Sequence, residues 1–187
     1  MRISGLIFGT LAMMLSAAAS AQSWVEFASL EDRFHAVFPV EPTVEEVEWI
    51  SEDSSVVPGR RYSATQGDNH YSLTVFDYHD SNFSNMRGSM AHVATSFRQR
   101  GEVTLDAYAQ LDRIAGHQLQ LTEPDGRELY VALHLHDWLL YLTESSVPFA
   151  SPRGTMFQHS LSITNEEGVR VRYNQDGTRN YERQLGD

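Results

Sequence analysis

The segment HQLQLTEPDGRELYVALHLHDWLLYLTESSV, His117 to Val147, constrains the fold more than any other part of the chain. Apolar residues alternate along it, and two turn signals divide it, Pro124-Asp125-Gly126 and Asp137-Trp138, so it reads as a three-stranded antiparallel meander. Strand side chains alternate between faces, so a one-residue slip at either turn exchanges the faces of a whole strand. A four-residue loop at the first turn sets Thr122 opposite Arg127 and His117 opposite Ala132, which strands Leu119 and Leu121 on the histidine face. A three-residue loop closing on a left-handed Gly126 pairs Glu123 with Arg127 instead. Leu119 then meets Val131, Leu121 meets Leu129, and one face is uniformly apolar, which selects this register. The second turn extends that face by pairing Leu133 with Leu142 and Leu135 with Leu140, and it sets His134 opposite Tyr141 and His136 opposite Leu139.

His134 and His136 are candidate metal ligands, because residues two apart on a strand share a face and imidazole suits Zn²⁺ or Cu²⁺. They supply half of a tetrahedral shell. The selected register moves His117 to the opposite face, Tyr141 is a poor zinc ligand, and further ligands would have to come from His79, Asp80 or Asp137. The two histidines are therefore read as covering a second layer or the solvent side of the sheet, with a metal-binding protein as the alternative. No cofactor is expected.

Other segments supply structure before chemistry. DRFHAVFP alternates Phe34, Ala36 and Phe38 as a half-buried strand, and TVEEVEWI (Thr43 to Ile50) reads as an edge strand. The acidic run Glu45, Glu46, Glu48, Glu52 and Asp53 lacks the glycine-turn spacing of a calcium loop and is read as a solvated face. Arg61 to His79 forms a hairpin about Gln66-Gly67-Asp68-Asn69. From Asn85 to Arg100 the period changes, and Met86, Met90, Val93, Ala94 and Phe97 fall on one helical stripe, with Ser84 as N-cap and Gly101 closing the end. Glu102 to Ile114 alternates as a further strand, and Ser151-Pro152 opens a short helix through Met156 and Phe157. Residues 164–187 form a charged tail, read as a small ribbon about Asp176-Gly177 or as disordered. No G-x-S-x-G elbow, H-E-x-x-H pair or phosphate loop occurs, and Ser89 and His92, three apart on the helix's polar face, have no aspartate in the segment to orient the histidine, so no catalytic residue is assigned.

The chain opens with Arg2 as its only charge before Glu26, an apolar run from Leu6 to Leu15, and small residues at Ala19 and Ala21. That pattern predicts a signal peptide over residues 1–21, cleaved after Ala21, with a single α+β domain over 22–163. Its apolar run is too short to span a bilayer of about 30 Å hydrocarbon thickness. The formal net charge of −11 becomes one unit more acidic when Arg2 is removed, which disfavours nucleic acid and anionic membrane surfaces as partners. Without cysteine there is neither a disulfide nor a lipidated anchor, so a soluble periplasmic or secreted protein is expected.

RFHAVFPVEP near the start, IAGHQLQL (Ile114 to Leu121), LLYLTESSVP (Leu139 to Pro148) and FQHSLSI (Phe157 to Ile163) together resemble the PsbP-like group of exported proteins across most of Trp24 to Ile163. Ala115 stands where that group often has Pro. The resemblance implies a central antiparallel sheet between helices, a three-layer α/β/α sandwich. It also implies a binding or assembly factor rather than an enzyme, whose partner is an unknown envelope protein or small ligand.

Overall fold

Two-residue alternation dominates the sequence, and the computed structural model is correspondingly mostly antiparallel sheet; it describes residues 24–80, 86–151 and 154–180. The signal-peptide segment, the Ser84 cap, the Met86 side chain and Pro152 lie outside the described residues. In chain order the elements are β1 (Val25–Ser29), β2 (Phe34–Phe38), β3 (Thr43–Ile50), β4 (Val56–Gln66), β5 (Asn69–Asp77), α1 (Met86–Arg98), β6 (Glu102–Leu111), β7 (Ile114–Thr122), β8 (Glu128–His136), β9 (Leu139–Val147), α2 (Gly154–Ser160) and β10 (Ser162–Ile163). Seven strands form the main sheet in the order β3-β4-β5-β9-β8-β7-β6, and β1-β2-β10 form a smaller one.

The meander takes the register that the leucines select. Leu119 pairs with Val131 and Leu121 with Leu129, while Leu133 pairs with Leu142 and Leu135 with Leu140. The first turn closes as the three-residue loop: Glu123 N–H donates to the Arg127 carbonyl at 2.8 Å, and Gly126 sits at φ 85°. At the second, Asp137 and Trp138 both have positive φ, 49° and 65°, the mirror-image turn that matches strand twist.

Glu102 to Ile114 is not one strand. A two-residue turn at Asp112 and Arg113, with φ of 50° and 69°, ends β6 and starts β7. Helix α1 ends as expected, but Gly101 does not close it in the left-handed conformation; a Cβ there would collide with the Thr122 carbonyl oxygen, so glycine lets β6 leave the helix close against β7.

Each face of the main sheet carries its own core. Under α1, Val93, Ala94 and Phe97 pack on Leu119, Leu121, Leu129, Val131, Leu133, Leu140 and Leu142. On the other face Tyr71, Leu73, Val75, Tyr141 and Val147 meet Phe34, Ala36 and Phe38 of β2 and Phe157 of α2. Each such large side chain contributes about 1.5–3 kcal/mol on burial. The expected antiparallel sheet with helices on its faces is present, with α1 on one face and α2 on the other, but helix makes up little of the layers. The helices are short, and the second layer is mainly the small β-sheet with α2 beside it, because β2 alternates as a strand and buries Phe34, Ala36 and Phe38 that way.

Residues 164–180 fold back on this second core. Val171 is buried and its N–H donates to the Ile163 carbonyl at 2.8 Å. Two tight turns follow Asn165 and Asn174, and Arg170 bonds the Asp112 carboxylate beside the β6–β7 turn.

Candidate functional site

The register decides the fate of the histidine pair. His134 faces Tyr141 on one side and Gly116 on the other, and only 4% of it is exposed. Its ring occupies the space that Gly116 leaves empty, since a Cβ there would run into Nδ1. Burial pushes its pKa from 6.5 down to about 4, opposed in part by a hydrogen bond to the Ile114 backbone. Nδ1 has no hydrogen-bond partner among the described residues.

His136 lies on the same face but further out, with its ring edge-on to Tyr173 at 6.0 Å and its pKa also lowered by burial. His79 bonds Asp77 at 2.6 Å, Asp137 is taken by Arg33, and Asp80 is exposed. Among the described residues no three His, Asp or Glu side chains gather as a metal site.

Ser89 and His92 do not share the polar face of α1. Ser89 is buried beside the Tyr78 hydroxyl, and His92 lies edge-on to Trp49 at 5.6 Å. The acidic run stays on the surface as a solvated face, with Glu45, Glu46 and Glu48 all exposed. Glu46 and Glu48 line a cleft of about 760 Å³ with Glu31, Asp32 and Asp77, and Arg60 neutralises its inner end through bonds to both Asp32 oxygens.

The more distinctive cavity is on the α1 face. Helix α1 rests on β7 and β8 and leaves the edge strand β6 uncovered, which opens a groove of about 960 Å³ between them. Small residues make its surface shallow: Ala91 and Ala94 from α1, and Ala109, Ala115 and Gly116 from the sheet. Met90 and Leu135 add apolar walls. Tyr108 projects from β6 with 92% of its surface exposed and meets the His117 ring edge-on at 5.9 Å.

One end of the groove is ionic. Asp106 accepts from Arg98 Nε at 2.6 Å and lies 2.6 Å from His117 Nε2. The Arg98 guanidinium chiefly, and His117 after it, hold the Asp106 carboxyl down to about 2. The arrangement is a flat apolar trough with an aromatic wall and a self-neutralised polar end. Sequence reasoning placed His117 on this face but missed Arg98, Asp106 and Tyr108 as its neighbours. The single signal was Tyr108 standing between Ala107 and Ala109, an aromatic with nothing large beside it.

The solution structure of cyanobacterial PsbP from Synechocystis sp. PCC 6803 superposes with a TM-score of 0.51 at 13% identity, covering 81% of this chain and 98% of that one. The fold resembles that of PsbP. At this identity the likeness speaks for the fold alone. A Pseudomonas aeruginosa protein of unknown function aligns at 10% identity over 68% of this chain and 85% of that one, with a TM-score of 0.33 too low to support an argument. No family model matches the chain, and no curated protein matches it in sequence.

Proposed function

We propose that this protein is an exported, non-enzymatic binding domain of the periplasm, and that it holds a small ligand with a flat apolar body in the groove between α1 and β6. The groove carries the reading. Its volume of about 960 Å³ lies within the range of small-molecule sites, roughly 300–1,000 Å³. Its alanine and glycine surface admits a planar group, and Tyr108 with His117 offers aromatic edges at one side. A partner protein of the envelope is the competing occupant.

Export is supported by the Arg2, Leu6 to Leu15 and Ala19-Ser20-Ala21 pattern. Among the described residues no helix is long and apolar enough to cross a membrane. In the finer fold reading, α1, the main sheet and the α2 layer form an α/β/α sandwich in which a small sheet has taken most of the second helical layer.

The test is a fluorescence titration with 1-anilinonaphthalene-8-sulfonate, a flat aromatic anion. Saturable binding is expected, and it is lost in Ala91→Glu and Leu135→Glu, each of which puts a carboxylate in the groove. Thermal melts confirm that both variants fold. Absence of saturable binding, or binding that neither substitution weakens, overturns the site.

A further inference from the structure

We propose that a second copy of this chain docks on the outer edge of β6, with the two β6 strands pairing antiparallel about a two-fold axis at Tyr108 so that the sheet runs from one molecule into the next. This does not depend on the small-ligand reading, and either can fail alone.

The two edges of the main sheet are built differently. The β3 edge carries Glu45, Glu46 and Glu48, a like-charged row that repels a further strand. The β6 edge has one charge between Thr104 and Leu111, Asp106, and Arg98 and His117 hold it on the groove face. Val103 and Leu105 are exposed beside it, and Tyr108 is nearly bare. From Leu105 to Leu111 the edge carries a single, already paired charge beside exposed Leu105 and Tyr108, the kind of surface that native edges ordinarily avoid unless it is paired.

The strand is also complementary to itself. An antiparallel pair related by a two-fold axis keeps each face in register with the same face of its partner. Centred on Tyr108, it sets Tyr108 against Tyr108, Ala107 against Ala109, Leu105 against Leu111, and Asp106 against the neutral Gln110. No like charges face one another along this run. A bulge at Thr104 shifts the strand by one residue, which brings Glu102 past the last β6 residue, Leu111, to the Asp112-Arg113 turn of the other copy, where Arg170 holds Asp112.

Glu102 and Arg113 are exposed, and among the described residues neither side chain has an ion-pair or hydrogen-bond partner. The two-fold axis supplies both with partners, once at each end of the paired strands. The net charge of −11 opposes self-association in general, and the ends of β6 are where that repulsion is locally reversed. The pairing would also join two grooves into one trough with the tyrosine pair on its floor.

Sedimentation velocity on purified, tag-free protein across a wide concentration range tests this, with thermal melts to confirm folding of each variant. Wild type should show a concentration-dependent dimer. Tyr108→Asp sets two carboxylates face to face and should leave only monomer. Glu102→Lys and Arg113→Asp, the latter chosen because Asp tolerates the left-handed backbone of the turn, should each raise the dimer dissociation constant by roughly two- to thirtyfold. The double variant Glu102→Lys/Arg113→Asp restores the pairing with its sign reversed and should recover wild-type affinity. A wild-type monomer at every concentration overturns the proposal, as does a dimer that Tyr108→Asp leaves intact or a double variant no tighter than the singles.

Discussion

Replacing His134 by leucine removes a histidine that burial keeps neutral until about pH 4, and the consequence is a change in how stability depends on pH. In the unfolded chain the imidazole takes up a proton near its ordinary pKa of 6.5, whereas in the folded protein it does so only near 4. Between those values the unfolded state binds the extra proton, so stability falls as pH falls. The contribution is fully present above pH 6.5, declines by about 1.4 kcal/mol per unit below it, and reaches a loss of about 3 kcal/mol near pH 4. At pH 5 the loss is about 2 kcal/mol.

Burial on the opposite face of the sheet raises the pKa of Glu144, which acts in the opposite sense, so the comparison must be between the variant and wild type. Denaturant melts at about pH 7.5 and about pH 5 give the two differences. Wild type should lose about 2 kcal/mol more between the two pH values than His134→Leu does. Equal losses in the two proteins would refute the enclosed, neutral His134 and with it the packing of its ring over Gly116.

Leu133 is fully buried at the centre of the sheet, so Leu133→Ala should cost about 2–5 kcal/mol in a denaturant melt. Gly116→Ala should destabilise by about 1–3 kcal/mol, because the new methyl meets the His134 ring and lies 2.5 Å from the Leu133 carbonyl oxygen. In a His134→Ala background only the ring clash disappears, so a double-mutant cycle should recover part of that cost and not all of it. Intact mass of periplasmic protein should correspond to a chain beginning at Gln22, and a species that keeps Met1 to Ala21 would reject the export assignment.

The central register was readable because Leu119, Leu121, Leu129 and Leu133 leave one arrangement in which apolar residues face one another, and a slip of one residue would bury glutamines in their place. The Asp112-Arg113 turn was not readable. It adopts the same mirror-image geometry as Asp137-Trp138 but lacks the glycine or asparagine that usually marks it, and alternation of small residues runs on through it. Strand β1 was missed because five residues, with Val25 and Phe27 as the large apolar side chains, carry too little pattern to stand apart from a loop.

The groove was hidden for a different reason. Arg98, Asp106 and His117 come together only because β6 folds back beside α1 and the Asp112-Arg113 turn sets β7 against it, and no spacing in the sequence encodes that meeting. Ser89 was read on the polar face of α1, but it stands four residues before Val93 on the buried stripe, and packing of that stripe on the sheet takes it inward.

The most direct test of the groove as the binding site is a backbone-amide chemical-shift map of the protein titrated with 1-anilinonaphthalene-8-sulfonate. Saturating shifts should gather on α1 from Met90 to Arg98, on β6 around Tyr108 and Ala109, and on Ala115 to His117, with the acidic cleft around Arg60 unmoved. Shifts centred on the Arg60 cleft or on His134 and His136, or scattered over the surface without saturating, would contradict the account.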